Sequence, residues 1–328
     1  MIDLSSLIRN TPAYKTIKND KQTGRLSHAY LVLCADQANL GAYLTELAKM
    51  FFCNKEDTCG SCRSCLLISQ GSYIDAVFIP REAQSAITSE DVVSLVQDSY
   101  IKPYEADKKV YVINNGQTMN AASQNKLLKT LEEPPKNVHI IIGATSDFAL
   151  LPTVKSRTKK IEIPAFSHEV LINALKDDCP DGERLRNAVY CSDGTLGKTL
   201  ALYGDEGLKV TMQTVKDVLL NMQSSKDVLE FSDKILKAKV DLSDFLSVFE
   251  LFLRDLAVYK SNGENAVFNQ EVVKQLKDAK GFTLGALVAI LQDVVDARKR
   301  IEANSNKTNV MEWLLFKILE EKFKWQKL

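Results

Sequence analysis

Short continuous apolar runs alternate with longer spaced apolar stripes through the first half of the chain, and stripes alone fill the second half. Ala29 to Leu33 is an unbroken apolar run, as expected for a parallel strand buried on both faces, and Ala42 to Phe52 behind it predicts a helix. Ile74 to Ile79 repeats the strand pattern. From Ser89 to about Tyr100, Val92, Leu95, Val96 and Ser99 recur at helical spacing. The stretch 109–135 reads KVYVINNGQTMNAASQNKLLKTLEEPP. Val110 to Ile113 predicts a strand and Asn120 a helix cap. Along that helix Ala121, Leu128 and Leu131 recur at one helical period with Leu127 beside them, and Pro134 with Pro135 stops it. Val138 to Ile142 and Ile161 to Ile163 predict two more strands, and Ile2 to Arg25 a leading helix with Leu4, Leu7 and Ile8 on one face.

The alternation stops after Pro164. Ser167 caps a helix through Lys176, Glu183 begins another, and a turn from Ser192 to Lys198 leads into a short helix ending near Tyr203. From Leu208 to Leu328 every stripe is helical, with connections at Gly263 and Gly281. The 242–258 helix is apolar on more than one face, so it is buried on both sides or joins other subunits.

The strand–helix–strand units are those of a nucleotide-binding α/β domain, which directs attention to the carboxyl ends of the strands. A nucleotide hydrolase carries an Asp for magnesium and a neighbouring acid for the attacking water at the end of the third strand. Here those positions hold Asn114 and Asn115, neutral amides that make no general base and poor ligands for a hard cation. Two readings fit the pair equally: an ATPase frame without its chemistry, or a loop that never had it. A phosphate-cradling loop is expected after the first strand, with glycines, a Lys and a Ser or Thr. In that register the Lys position holds Leu40 and the hydroxyl position Gly41. Cys34, Gln37 and Asn39 replace the glycines, and Asp36 puts a negative charge where phosphate would sit. Two losses in one frame favour the first reading.

Composition narrows the picture further. Lys plus Arg and Asp plus Glu are 42 each, so no global basic field announces nucleic acid. No apolar run approaches the ~20 residues that span a bilayer, and the opening MIDLSSLIRN has no signal-peptide core, which together imply a cytoplasmic protein. Its seven cysteines are then thiols or metal ligands. Cys53, Cys59, Cys62 and Cys65 follow the spacing C-x5-C-x2-C-x2-C, dense enough for a tetrahedral structural Zn2+ site, with free thiols or a redox pair as the alternative. Gly60 lets the turn fold back. His28 and His139 lie at or in strands and read as structural. GxSxG, HExxH and GxGxxG motifs are all missing. The Lys155–Lys160 turn, with Ser156 and Arg157, reads by spacing alone as a solvated basic turn.

Several segments together resemble a known family: 28–31 (HAYL), the four-cysteine insertion, 109–113 (KVYVI), 124–135 (QNKLLKTLEEPP), Ser156-Arg157, 194–198 (GTLGK), and the 304–318 hairpin. They look like the delta-prime subunits of the bacterial DNA polymerase III clamp loader, which are AAA+ proteins. The resemblance spans nearly the whole chain and is strongest to about residue 200. It implies an α/β AAA+ nucleotide-binding-type domain with a parallel sheet over 1–166, a small helical lid over 167–207, and an all-α collar for oligomerisation over 208–328. It also implies a subunit without ATP hydrolysis of its own, in a DNA-directed DNA polymerase holoenzyme. Its partners would be the gamma/tau motor subunits, the delta subunit and, through the complex, the sliding clamp and primer-template DNA, with no membrane. Arg157, beside Ser156, would be an arginine finger serving a neighbour's ATP, and the metal would be Zn2+. Thr158 replaces the family's Cys after that pair, the first cysteine gap is shorter than the family's, and Val93 stands where related subunits carry an Arg near DNA. An active AAA+ ATPase with divergent motifs and a zinc-binding adaptor are the other function classes.

Overall fold

The computed structural model describes residues 4–80, 86–237, 241–263, 267, 274 and 282–324. The expected helix start at Ile2, the connection at Gly281 and the helical reading of 325–328 and most of 264–281 lie outside them. The described chain divides into two compact units, Met1–Pro180 with Asp193–Leu200, and Asp181–Ser192 with Ala201–Leu328.

The first unit is built on five strands: β1 (Ala29–Cys34), β2 (Ala76–Ile79), β3 (Lys109–Ile113), β4 (Val138–Ala144) and β5 (Lys159–Ile163). All pairs are parallel, in the order β2-β3-β4-β1-β5. Alternating strand residues supply two cores, because successive side chains point to opposite faces. Tyr30, Val32, Val110, Val112 and Ile141 join one face. That face is covered by α1 (Leu4–Arg9), α2 (Pro12–Gln22) and α3 (Leu40–Phe52). Leu31, Tyr111, Ile113, Ile140 and Ile142 join the other, under α5 (Ser89–Ser99), α6 (Ala121–Glu132) and α7 (Pro152–Lys155). The short α4 (Arg63–Ser69) follows the cysteine turn, and α8 (His168–Leu175) follows β5. This is the expected α/β arrangement, a parallel sheet with both faces buried.

Local differences from the sequence expectation have local causes. The leading helix is two helices, because Thr11 turns extended (φ −75°, ψ 152°) to cap α2 and Pro12 opens it. β2 starts at Ala76, two residues later than expected. On α6, Asn120 caps as expected, its side chain accepting from Ser123 N at 2.8 Å. The buried face, however, is Ser123, Gln124, Leu127, Thr130 and Leu131, whereas Ala121 is exposed.

The second unit contains α9 (Gly182–Tyr190), α11 (Gly207–Asn221), α12 (Ser225–Lys237), α13 (Leu242–Asn262), α14 (Leu284–Glu302) and α15 (Lys307–Lys324), and α10 (Leu196–Gly204) runs across the boundary. α13 buries Leu242, Phe245, Leu246, Val248, Phe249 and Phe252 within the unit's own core, so its many-sided apolar surface is taken up inside the chain. Tyr190 OH donates to the buried Asp255 carboxylate at 2.8 Å, joining α9 to α13. Asn304, at φ 58°, turns α14 into α15, and Arg300 stacks on Trp313 at 3.9 Å.

Candidate functional site: a filled cradle, a presented arginine and a thiol cluster

The loop after β1 is folded around a carboxylate. Asp36 is buried and accepts from Tyr43 OH at 3.0 Å, Asn39 Nδ2 at 3.1 Å and the Gly197 amide at 3.1 Å. Asn39 stands at the N-cap of α3 but makes no side-chain cap; its amide nitrogen instead donates to Asp36. Leu40 is wholly buried in the core at the start of α3. Gly197 sits so close that a Cβ there would lie 2.6 Å from both Asp36 Oδ1 and Ala38 Cβ. Gly41 faces the end of β3, where an added Cβ would lie 3.1 Å from Asn114 Nδ2. Asn114 Oδ1 is buried without a protein partner among the described residues. Asn115 adopts the left-handed conformation (φ 59°, ψ 45°) and accepts from Gln117 Nε2 at 3.3 Å. Burial pushes the Cys34 thiol up to about 11, which keeps it protonated and unreactive at neutral pH. Burial and Asp36 together push Tyr43 upward as well. A triphosphate with magnesium fits these residues poorly. The position holds a carboxylate, Leu40 offers no cation, and the Gly197 backbone packs directly against the loop.

The second feature is the segment from β4 into β5. Leu150 and Val154 anchor it in the core. Arg157, just beyond α7, is 35% exposed and pairs through Nη2 with Glu132 Oε1 at 2.8 Å. Its Nη1 donates to the Thr153 carbonyl at 3.0 Å and to Ser156 Oγ at 3.3 Å. Ser156 and Arg157 are thus brought together, with the hydroxyl accepting from the guanidinium. Phe148, on the same segment, is 94% exposed. Gln124, a residue that sequence reasoning passed over, reaches this segment from α6. Its Nε2 donates to Ala149 O and Met119 O at 3.0 Å each, and its Oε1 accepts from Leu151 N at 2.7 Å. One signal was available: Gln124, Leu127 and Leu131 share a helical stripe, and a polar residue in such a stripe needs a buried partner.

The third feature is the cysteine insertion. The sulfurs of Cys53, Cys59, Cys62 and Cys65 all lie within 4.8 Å of one another, and those of Cys59 and Cys65 are 4.0 Å apart. Tetrahedral zinc at about 2.3 Å from each thiolate sets sulfurs about 3.8 Å apart, so the four residues fit a metal ion of that kind. Gly60 turns the chain back at φ 68°. Amide donors from Ser61 and Cys62 lower the Cys59 thiol to about 5, whereas burial raises Cys65 to about 12. The short gap between Cys53 and Cys59 is gripped from α1 and α2. Arg9 donates to Thr58 O at 2.6 Å, the Thr58 amide to Tyr14 OH at 2.9 Å, and Lys18 to Asp57 at 2.9 Å. Lys21 Nζ reaches the Cys53 and Lys55 carbonyls. Tyr14, Lys18 and Lys21 lie on one face of α2, so this helix sets the shape of the thiol loop.

His139 is structural. Its Nδ1 lies 2.8 Å from Ser27 O, and burial lowers its pKa. Among the described residues no helix is long and apolar enough to cross a membrane.

Residues 9–167 match the family model described as DNA polymerase III, delta subunit. A DNA polymerase III subunit delta' from Bacillus subtilis is 25% identical, over 93% of this chain and 95% of its own length. Its counterpart from Pseudomonas aeruginosa is 28% identical, over 89% and 92%. A DNA polymerase III subunit gamma from Buchnera aphidicola is 27% identical, over 79% and 78%. Over about nine-tenths of its length the chain is thus similar to delta' subunits of bacterial DNA polymerase III.

Proposed function

We propose that this chain works within a clamp loader as a subunit that does not hydrolyse ATP itself and lends Arg157 to the ATP site of a neighbouring gamma/tau motor subunit. The observation that carries this reading is the contrast between the two loops. Asp36, bonded to Gly197, and the buried Leu40 stand where this reading puts the phosphates of a nucleotide, while Arg157 stands part-exposed at the end of α7. Both delta-prime and gamma proteins are similar to this chain, so similarity alone does not separate a motor from a companion. The substitutions at Leu40, Gly41, Asn114 and Asn115 favour the companion. A guanidinium in trans offsets the charge that develops on a transferred phosphoryl group, and Ser156 orients it.

The four cysteines hold a structural Zn2+ in this reading. With every position taken by sulfur, the metal stiffens the insertion and activates no water. The 1–166, 167–207 and 208–328 segments act as AAA+ domain, lid and collar. The partners are the motor subunits and the delta subunit, with the sliding clamp and primer-template DNA reached through the assembly, in the cytoplasm. Reconstitution with motor and delta subunits tests this. Arg157→Ala is expected to leave assembly intact and lower DNA-stimulated ATP turnover, and the chain alone is expected to turn over no ATP. Unchanged turnover in the Arg157→Ala loader would remove Arg157 from the site.

A further inference from the structure

We propose that Thr58 is a positioning residue for the metal centre: seated among α1, α2 and α3, it fixes Cys59 ahead of the metal, so that metal affinity and the docking of those helices are coupled. The proposal rests on the reading of the four cysteines as Zn2+ ligands. Three of the four are placed by helices. Cys53 is the C-cap of α3, Cys62 is the N-cap of α4, and Cys65 lies within α4. Cys59 lies in no helix or strand and follows the polar stretch 54–58, NKEDT. Such a loop has no register of its own, and any ordering left until the metal binds is subtracted from affinity.

Thr58 removes that cost. Within 54–58 it alone is buried, at 1% exposure, which thiolate ligation by its neighbour does not require. Its polar atoms reach three different helices. The carbonyl accepts from Arg9 at the end of α1 at 2.6 Å, the amide donates to Tyr14 OH on α2 at 2.9 Å, and the hydroxyl donates to Glu46 Oε2 on α3 at 3.5 Å. Glu46 is held in turn by Ser5 Oγ at 3.1 Å and by the buried Lys49. The loop's remaining side-chain bonds, Lys18 to Asp57 and Gln22 to Glu56, lie nearer the surface, where such pairs hold little. A buried donor parted from its acceptor is costly, so Thr58 cannot shift without opening the three-helix junction. The coupling is reciprocal: whatever seats Thr58 tightens the metal, and the metal holds the helices.

The test uses the purified full chain and titrates Zn2+ in competition with a chromophoric chelator, below the melting temperature. Tyr14→Phe removes the acceptor of the Thr58 amide and is expected to weaken Zn2+ binding roughly tenfold. Thr58→Val keeps the shape and both backbone bonds and is expected to weaken it about threefold; it decides the matter if Tyr14→Phe does not fold. Tyr30→Phe is the control. Its hydroxyl donates to Asp20 on the same helix at 2.8 Å rather than to Thr58, so Zn2+ affinity is expected to stay as it was. In the other direction, stripping the metal is expected to speed amide exchange across 12–22, and to speed it less once Tyr14→Phe has broken the link. Unchanged Zn2+ affinity in a folded Tyr14→Phe chain would overturn the proposal, as would an equal loss in Tyr30→Phe or unaltered exchange across 12–22 in the stripped chain. A chain that bound no Zn2+ at all would remove the reading of the four cysteines, and the proposal with it, in a separate arm of the same titration.

Discussion

Two loops at the carboxyl edge of one sheet have opposite designs. After β1, the polar groups turn inward: Asp36 collects three donors, Leu40 enters the core and Gly197 closes over the top. After β4, apolar residues turn inward and the cation is left outside, with Arg157 held by neighbours that it can exchange. On the function proposed for the chain, the difference teaches how one frame can lose a ligand site and gain a presenting surface without changing its strands. Backbone positions at strand ends are fixed by the sheet, and side-chain chemistry decides whether each loop receives or offers charge.

The contrast can be broken from either side. The largest effect is expected from Arg157→Ala, which should cost roughly a thousandfold in turnover at the ATP site it is proposed to serve, read by single-turnover hydrolysis in the assembled loader. The thiol cluster is a control that belongs to neither loop. Cys62→Ser should abolish the one bound metal per chain, measured by elemental analysis, and should cost upward of about 3 kcal/mol in thermal stability. On the receiving side, Gly197→Ala places a methyl against Ala38 Cβ and Asp36 Oδ1 and should cost about 1–3 kcal/mol. Hydrogen exchange across 193–200 would localise that loss, and unchanged protection there would break the picture of a closed cradle.

The smallest effect is a pH dependence. Burial lowers His139 below the ordinary imidazole value of 6.5, so the unfolded chain binds the proton more readily. Its contribution to stability is fully present above about pH 6.5 and is lost as pH falls from there toward the lower folded value. Denaturant midpoints between pH 7.5 and 5 should show this slope, and His139→Gln should flatten it.

Much of this was legible in sequence because it is local. Asn120 before a stripe and Pro134 after it delimit α6, and the apolar runs at Val110 and Val138 mark strands whatever they pair with. The substitutions at Leu40, Gly41, Asn114 and Asn115 were readable because each chemical role has a fixed place in the frame. What escaped is pairing over long separations. Asp36 and Gly197 are 161 positions apart, and nothing local says that an acid in one turn will meet the amide of another. The face of α6 was misjudged for a related reason. Ser123, Gln124 and Thr130 are polar by type yet buried, whereas Ala121 is apolar and faces outward. The inward side of that helix is set by hydrogen bonds to Ala149 and Leu151 and to Ser89 as well as by hydrophobicity.

The bond from Gly197 to Asp36 is intramolecular, so its occupancy follows folding and owes nothing to supply. A clasp closed by a diffusible metabolite loosens when that metabolite runs low; one closed by a tethered side chain is equally shut in a starved cell and a growing one. Neighbours that cycle between loaded and spent forms would then meet, at every stage, an unchanging abutment.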